Sequence, residues 1–176
     1  MRNKVYDFSS VQINLPKALA DNITEWGKEK ISDDHLFNDP ENLFFGREDD
    51  PHVTILYGIH SNKPQEAFDL LNYEKEIQVK LGEIYIFKES YWFDVVTIAV
   101  ISPDLERLNA KFRSSLRYSN RHKKYIPHIT IAYVTKKMAD EIDECEMFKN
   151  QEFLADSVYF SSRTGQKHRF QLRSNR

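Results

Sequence analysis

Two segments of the chain, PHVTILYG at 51–58 and PHITIAYV at 127–134, carry Pro, His, Thr, Ile and Tyr at the same offsets. With six histidines and six threonines in 176 residues, two matching His-x-Thr motifs are not a product of composition. Both segments read as strands, whose successive side chains point to opposite faces. His52 and Thr54 therefore share one face and Val53 and Ile55 the other, as do His128 and Thr130 against Ile129 and Ile131. The apolar face belongs to the core, so the polar face is left to line a cleft. Tyr57 and Tyr133 fall on the apolar parity and read as structural residues unless a bulge intervenes.

Two imidazoles facing one another suit phosphodiester chemistry, which needs one proton removed and another delivered. An unperturbed imidazole titrates at about 6.5, so one can accept a proton from water or a ribose hydroxyl while the other donates to the leaving oxygen. A threonine hydroxyl two residues along can donate to a non-bridging phosphate oxygen. This chemistry calls for no metal and no cofactor, and no H-E-x-x-H or carboxylate–histidine pairing supplies a zinc ligand set. Asp49 and Asp50 precede Pro51 on a loop and are set aside as ligands.

The elements that must position these motifs form a weak duplication. A strand, a proline-initiated helix, a loop and Pro-His-x-Thr-Ile-x-Tyr follow in order at 10–57 and again at 96–133, the first copy being 11 residues longer between proline and histidine. In the first copy a strand at 10–15 precedes a helix opened by Pro16, with Leu19, Ile23 and Trp26 on one face. In the second, Ser102 and Pro103 are the N-cap and first position of a helix presenting Leu105, Leu108 and Phe112. The segment 32–50 is acidic and reads mostly as loop. Further expected elements are a short helix from Pro64 to Leu71, strands at 77–87 and 93–101, a helix from about Lys136 to Phe148, and strands at 154–161 and 168–172.

Composition limits the alternatives. Hydrophobic residues make up 40% and charged residues 30% of the chain, as in folded globular domains. The longest apolar run, 95–101, is far short of a bilayer span, and the polar start lacks a signal peptide's apolar core, so a cytoplasmic setting without membrane partners is expected. Cys145 is the only cysteine, and none of the five glycines lies in a nucleotide-binding fingerprint. Net charge is −2, but Arg107 to Ala139 holds nine Lys or Arg and no acid, which leaves −11 for the remainder. Such asymmetry fits either an anionic partner approaching one side or a solvated helix face.

The paired motifs, with strand and helix context on both sides and the ending SVYFSSRTGQKHRFQL, resemble the 2H phosphoesterase superfamily, which includes 2′-5′ RNA ligase-like proteins and 2′,3′-cyclic nucleotide phosphodiesterases. The resemblance implies an α+β, bilobal, duplicated fold in which antiparallel sheets flank a central groove and helices lie outside. One domain over 1–176 is expected, with lobes of roughly 1–92 and 93–176 and strand exchange between them allowed. The activity implied is metal-independent cleavage of a 2′,3′-cyclic phosphate, a 2′-5′-linked or a cyclic oligonucleotide, with His52, Thr54, His128 and Thr130 catalytic. Alternatives are an RNA-end or nucleotide-binding module with little turnover, or a 2′-5′ RNA ligase.

The implied partner is a nucleotide, an oligonucleotide or an RNA end, with no obligate protein partner. Candidate substrate contacts are Gln12 and Asn14 on the polar parity of the first strand, Arg121, Lys123 and Lys124 before the second motif, and Arg163, with Lys167, in the last turn. Tyr91, Trp92 and Phe93 either pack in the core or offer a base-stacking surface, Trp92 being the candidate contact. Arg107, Lys111 and Arg117 read as an outer helix face, and His35, His60 and His168 as surface or packing residues. The additional phosphates of a substrate are expected mainly on the His128 side.

Overall fold

A computed structural model describes residues 6–40, 44–88, 90–136, 142 and 145–175. Eight strands and three helices follow in the order β1 (Ser9–Asn14), α1 (Lys17–Lys30), β2 (His52–Ile59), α2 (Gln65–Asp69), β3 (Ile77–Phe87), β4 (Phe93–Ile101), α3 (Pro103–Ser115), β5 (His128–Thr135), β6 (Glu152–Ala155), β7 (Ser157–Ser161) and β8 (Lys167–Gln171). The helix-start signals act as expected. Ser102 Oγ accepts from the Leu105 amide with Pro103 in the first turn, and the Leu19, Ile23 and Trp26 stripe of α1 is buried. Among the described residues no helix is long and apolar enough to cross a membrane.

The strands form one antiparallel sheet in the order β6-β3-β4-β5-β2-β1-β7-β8. From the centre outward, β2, β1 and β7 on one side correspond to β5, β4 and β3 on the other. The correspondence extends to register: Gln12 lies between Thr54 and Tyr159, and Thr97 lies between Thr130 and Tyr85. The helices pack reciprocally, α3 behind β2 and α1 behind β5. Each copy of the duplicated unit thus covers the motif strand of the other, and Ile13, Val53, Ile55, Ile98, Ile129 and Ile131 are buried on that side.

β2 and β5 meet at Val53 and Ile129. Beyond that point their edges take other partners. On β2 the amide of His60 donates to Arg117 O (3.1 Å) and that of Ser119 to Gly58 O (2.9 Å); on β5 the amide of Tyr133 donates to Gly46 O (2.8 Å) and that of Glu48 to Ile131 O (2.9 Å). Gly58 is required at the first of these edges. Its φ is +95°, and a Cβ there would stand 1.9 Å from the Ser119 carbonyl oxygen.

Each motif strand carries an extra residue at the matching place, and β2 a second one at Gly58, passed over between Ser10–Tyr57 and Ser9–Ile59. Val11 pairs with Leu56 and Gln12 with Thr54, passing over Ile55; Val96 pairs with Ala132 and Thr97 with Thr130, passing over Ile131. These matching bulges reverse the side-chain parity beyond them. A bulge also takes a carbonyl out of the ladder. That of Ile55 is met by Asn109 Nδ2 of α3 at 2.7 Å, and that of Ile131 by the Glu48 amide.

Two expectations need correction. The strand foreseen over 154–161 is two strands divided at Asp156, β6 pairing with β3 and β7 with β1. The sheet curls so far that its opposite margins meet: the Glu76 amide, just before β3, donates to Arg173 O (2.9 Å) and the Arg173 amide, just after β8, to Glu74 O (3.0 Å). Asp156 and Ser157 are a polar step in an otherwise apolar run, and polar residues are too ordinary within a strand to mark the break. The helix from Pro64 is shorter than expected. Of the helix expected at 136–148, residues 137–141, 143 and 144 lie outside the described residues, and 147–150 form a turn that buries Phe148.

Asn109 is 6% exposed, so removing its amide leaves the Ile55 carbonyl buried without a donor. Asn109→Ala is expected to cost about 2 kcal/mol, read as a lower urea midpoint at unchanged slope. Asn109→Asp, which keeps the shape and loses the donor, should cost at least as much.

Candidate active site

Cross-strand partners in a sheet share a face, so the register assembles the site directly. Asn14 is opposite His52, Gln12 opposite Thr54, Ala99 opposite His128 and Thr97 opposite Thr130. The antiparallel sense of the Val53/Ile129 contact sets His52 toward Thr130 and His128 toward Thr54. Two motifs more than seventy residues apart become one cluster on the face away from α1 and α3.

Both histidines are held the same way. His52 Nδ1–H donates to the carbonyl oxygen of Asp50 and His128 Nδ1–H to that of Ile126, each at 2.8 Å and each two residues upstream. A carbonyl can only accept, so Nδ1 carries a hydrogen in each ring and Nε2 is the nitrogen that gains or loses a proton. The proline between each pair, Pro51 or Pro127, fixes the backbone that presents the acceptor. The Thr54 carbonyl is bonded from outside the sheet by Tyr125 Oη at 2.9 Å. Burial raises the Tyr125 phenol's pKa, with a smaller push from Glu106, so it stays a neutral donor.

The surroundings of the two histidines differ. Phe87 approaches the His128 ring at 5.7 Å between centroids, and Phe37, Phe45, Phe93 and Tyr133 form an aromatic cluster along the same half of the groove. On the other half Gln12 is 3% exposed and its Nε2 donates to Asn14 Oδ1 (3.0 Å), fixing the amide opposite His52. Asp50, whose carbonyl holds His52, also forms an ion pair with Lys167 of β8. Asp50, set aside as a ligand because it precedes Pro51 on a loop, meets His52 through its main-chain carbonyl.

The bulges change the reading of the repeated tyrosines. Both lie on the groove face, Tyr133 in the aromatic cluster and Tyr57 41% exposed. Burial, and after it Asp7, raises the Tyr57 phenol's pKa, so Tyr57 is a hydrogen-bond donor and not a base at neutral pH. A pattern of alternation carries no sign of an inserted residue, which is why the parity count misplaced both.

The outer candidates fare unevenly. Arg121, Lys123 and Lys124 are exposed on the α3–β5 connection, and among the described residues their side chains form no ion pair. Arg107 and Lys111 instead clamp Glu74, as an outer helix face would. The Arg163 guanidinium donates to His60 O at 2.7 Å and braces the end of β2. Tyr91 and Trp92 are not core: they are 85% and 71% exposed at the β3–β4 turn, beyond the last strand pair, while Phe93 packs in the aromatic cluster. Among the described residues no three His, Cys, Asp or Glu side chains are grouped as metal ligands would be.

No family model matches the sequence, and no curated protein sequence does. Solved structures do. TT0787 of Thermus thermophilus aligns with a TM-score of 0.68 at 16% identity over 96% of this chain and 100% of that one. LigT of E. coli in its apo form aligns at 0.64 and 17% identity over 96% of each chain. Usb1 of Kluyveromyces marxianus aligns at 0.57 and 10% identity over 95% and 99%. LigT is also known in complexes with ATP and 3′-AMP. At 10–17% identity, what this chain shares with these structures is the fold.

The main-chain acceptors predict one tautomer at both histidines. Imidazole nitrogen NMR above the titration range should show Nδ1 protonated and Nε2 bare for His52 and His128. The reverse pattern would remove the common orientation from the site.

Proposed function

We propose that this chain, which has the 2H phosphoesterase fold, is a phosphodiesterase that cleaves a ribose-linked phosphodiester by acid–base chemistry between His52 and His128. The candidate linkages are a 2′,3′-cyclic phosphate, a 2′-5′ bond and a cyclic oligonucleotide. The observation that carries this reading is the matched presentation of the two rings: central antiparallel strands, one face, and the same Nδ1 bond to a carbonyl two residues upstream.

In the reaction the neutral Nε2 of one histidine takes a proton from the attacking oxygen of water or a ribose hydroxyl. The new P–O bond forms as the bond to the leaving oxygen breaks. The other histidine, protonated, delivers its Nε2 proton to that leaving oxygen, and exchange with solvent restores both rings. Thr54 and Thr130 donate to the non-bridging oxygens, where charge builds in the transition state. Because each histidine lies toward the threonine of the other motif, both motifs are needed at each stage. Nucleotide complexes of LigT, a protein of the same fold, support a nucleotide-bearing substrate here.

The test is a panel of a 2′,3′-cyclic mononucleotide, a 2′-5′ oligoadenylate and cyclic di- and trinucleotides. Cleavage is expected to resist EDTA and to follow a bell-shaped pH profile. His52→Ala and His128→Ala should each lose about 10²–10⁴-fold in kcat/KM, and Thr54→Val and Thr130→Val about 10²-fold. Full activity in either alanine variant overturns the assignment. Binding without product across the panel would make the chain a nucleotide- or RNA-end-binding module instead.

A further inference from the structure

The groove has a charge axis along β2 and β5. Glu48, Asp49 and Asp50 stand where β2 begins and β5 ends, beside the Glu48 bond to Ile131. At the opposite end, where β2 finishes and β5 starts, the connection bearing Arg117, Arg121, Lys123 and Lys124 pairs with β2 through Ile59 and Tyr118. An anionic chain held at the histidines is drawn toward that second end.

A cavity of about 480 Å³ opens there, lined by His60, Ser61, Asn62, Lys63, Glu66 and Arg117. Its volume is within the range that holds a nucleotide-sized ligand. Lys63 and Arg117 are exposed, and with Glu66 the one acid in the lining the two cations leave the wall net positive. Asn62 Oδ1 accepts from Ser9 Oγ (3.2 Å) and from the Arg163 amide (2.9 Å), which fixes the carboxamide and leaves its Nδ2 as a donor. The His60 ring is stacked on Phe8 at 5.3 Å, with Nε2 2.8 Å from Ser119 Oγ.

Rings connect this cavity to the motifs. Tyr57, exposed on the groove face three residues past Thr54, meets Phe8 edge-on at 6.1 Å, and Phe8 covers His60. Alongside β1, which takes only five steps from the partner of His52 to that of Ile59, the strand carries His60 on the order of 20 Å from His52 at ~3.3 Å per step, more than a mononucleotide can span.

We propose that the substrate is an oligonucleotide extending several nucleotides beyond the cleaved linkage. Its backbone leaves the His52/His128 centre over Tyr57, and a distal phosphate is held in the His60 cavity by Lys63, Arg117 and the Asn62 amide. This assignment rests on the phosphodiesterase reading and deepens it by naming the length of the substrate.

The experiment compares RNAs of one to eight nucleotides ending in a 2′,3′-cyclic phosphate. Wild-type kcat/KM is expected to rise with length. K63E/R117E should lower the octamer value at least tenfold relative to the mononucleotide value, with K63A/R117A as a milder pair should charge reversal impair folding by circular dichroism. The octamer advantage should also shrink as salt rises, because phosphate contacts release counterions. Equal loss at all lengths, or none at any, overturns the cavity assignment while leaving the histidine centre standing. If no RNA is turned over, the 2′,3′-cyclic linkage is excluded and the histidine reading is decided by the other linkages of the panel, while anisotropy with a fluorescein-labelled octanucleotide still decides the cavity. Tenfold weaker binding by K63E/R117E upholds it, and equal affinity ends it.

Discussion

The antiparallel contact of β2 with β5 at Val53 and Ile129 is the constraint from which the groove follows. Strand alternation turns His52, Thr54, His128 and Thr130 to one face once those two apolar residues are committed to the other. The strands then part, and each is supported by the opposite copy of the duplicated unit, β2 by α3 and β5 by α1. Neither copy can bury its motif strand alone. Stability and site geometry therefore depend on the same contact, and Asn109, which secures the Ile55 bulge from α3, belongs to both.

The near-symmetry of the backbone is not carried into the chemistry of the two halves. Rings gather on the His128 half, whereas amides and the Asp50–Lys167 pair flank His52. The charge axis runs differently, along the strands and not across them, because antiparallel pairing sets the start of β2 beside the end of β5. The acidic and basic connections consequently occupy opposite ends of a single groove. A symmetric frame thereby sets two matching histidines in unlike surroundings.

Much of this was legible in the chain. The paired Pro-His-x-Thr-Ile-x-Tyr segments, the Ser102–Pro103 helix start and the stripe Leu19, Ile23, Trp26 act locally, and local rules recovered them with nearly the observed bounds. The position of Gln12 and Asn14 followed from strand parity in the same way. The failures also have a common form. Asp156 divides a run that reads as a single strand, and the bulges at Ile55 and Ile131 return Tyr57 and Tyr133 to the groove against their parity. Tyr91 and Trp92 have the hydrophobicity of core residues but occupy a turn past the end of the sheet.

The amino-acid sequence by itself marked the two matching His-x-Thr strands and the helices beside them, because residue type, alternation and helix capping are short-range properties. Only the tertiary structure decided that β2 and β5 are neighbours, that each histidine lies toward the other motif's threonine, and that Asp50 serves through its carbonyl. Those outcomes depend on register across residues far apart in the chain. A register is set by packing and by where a bulge falls, and neither leaves a mark on the local pattern.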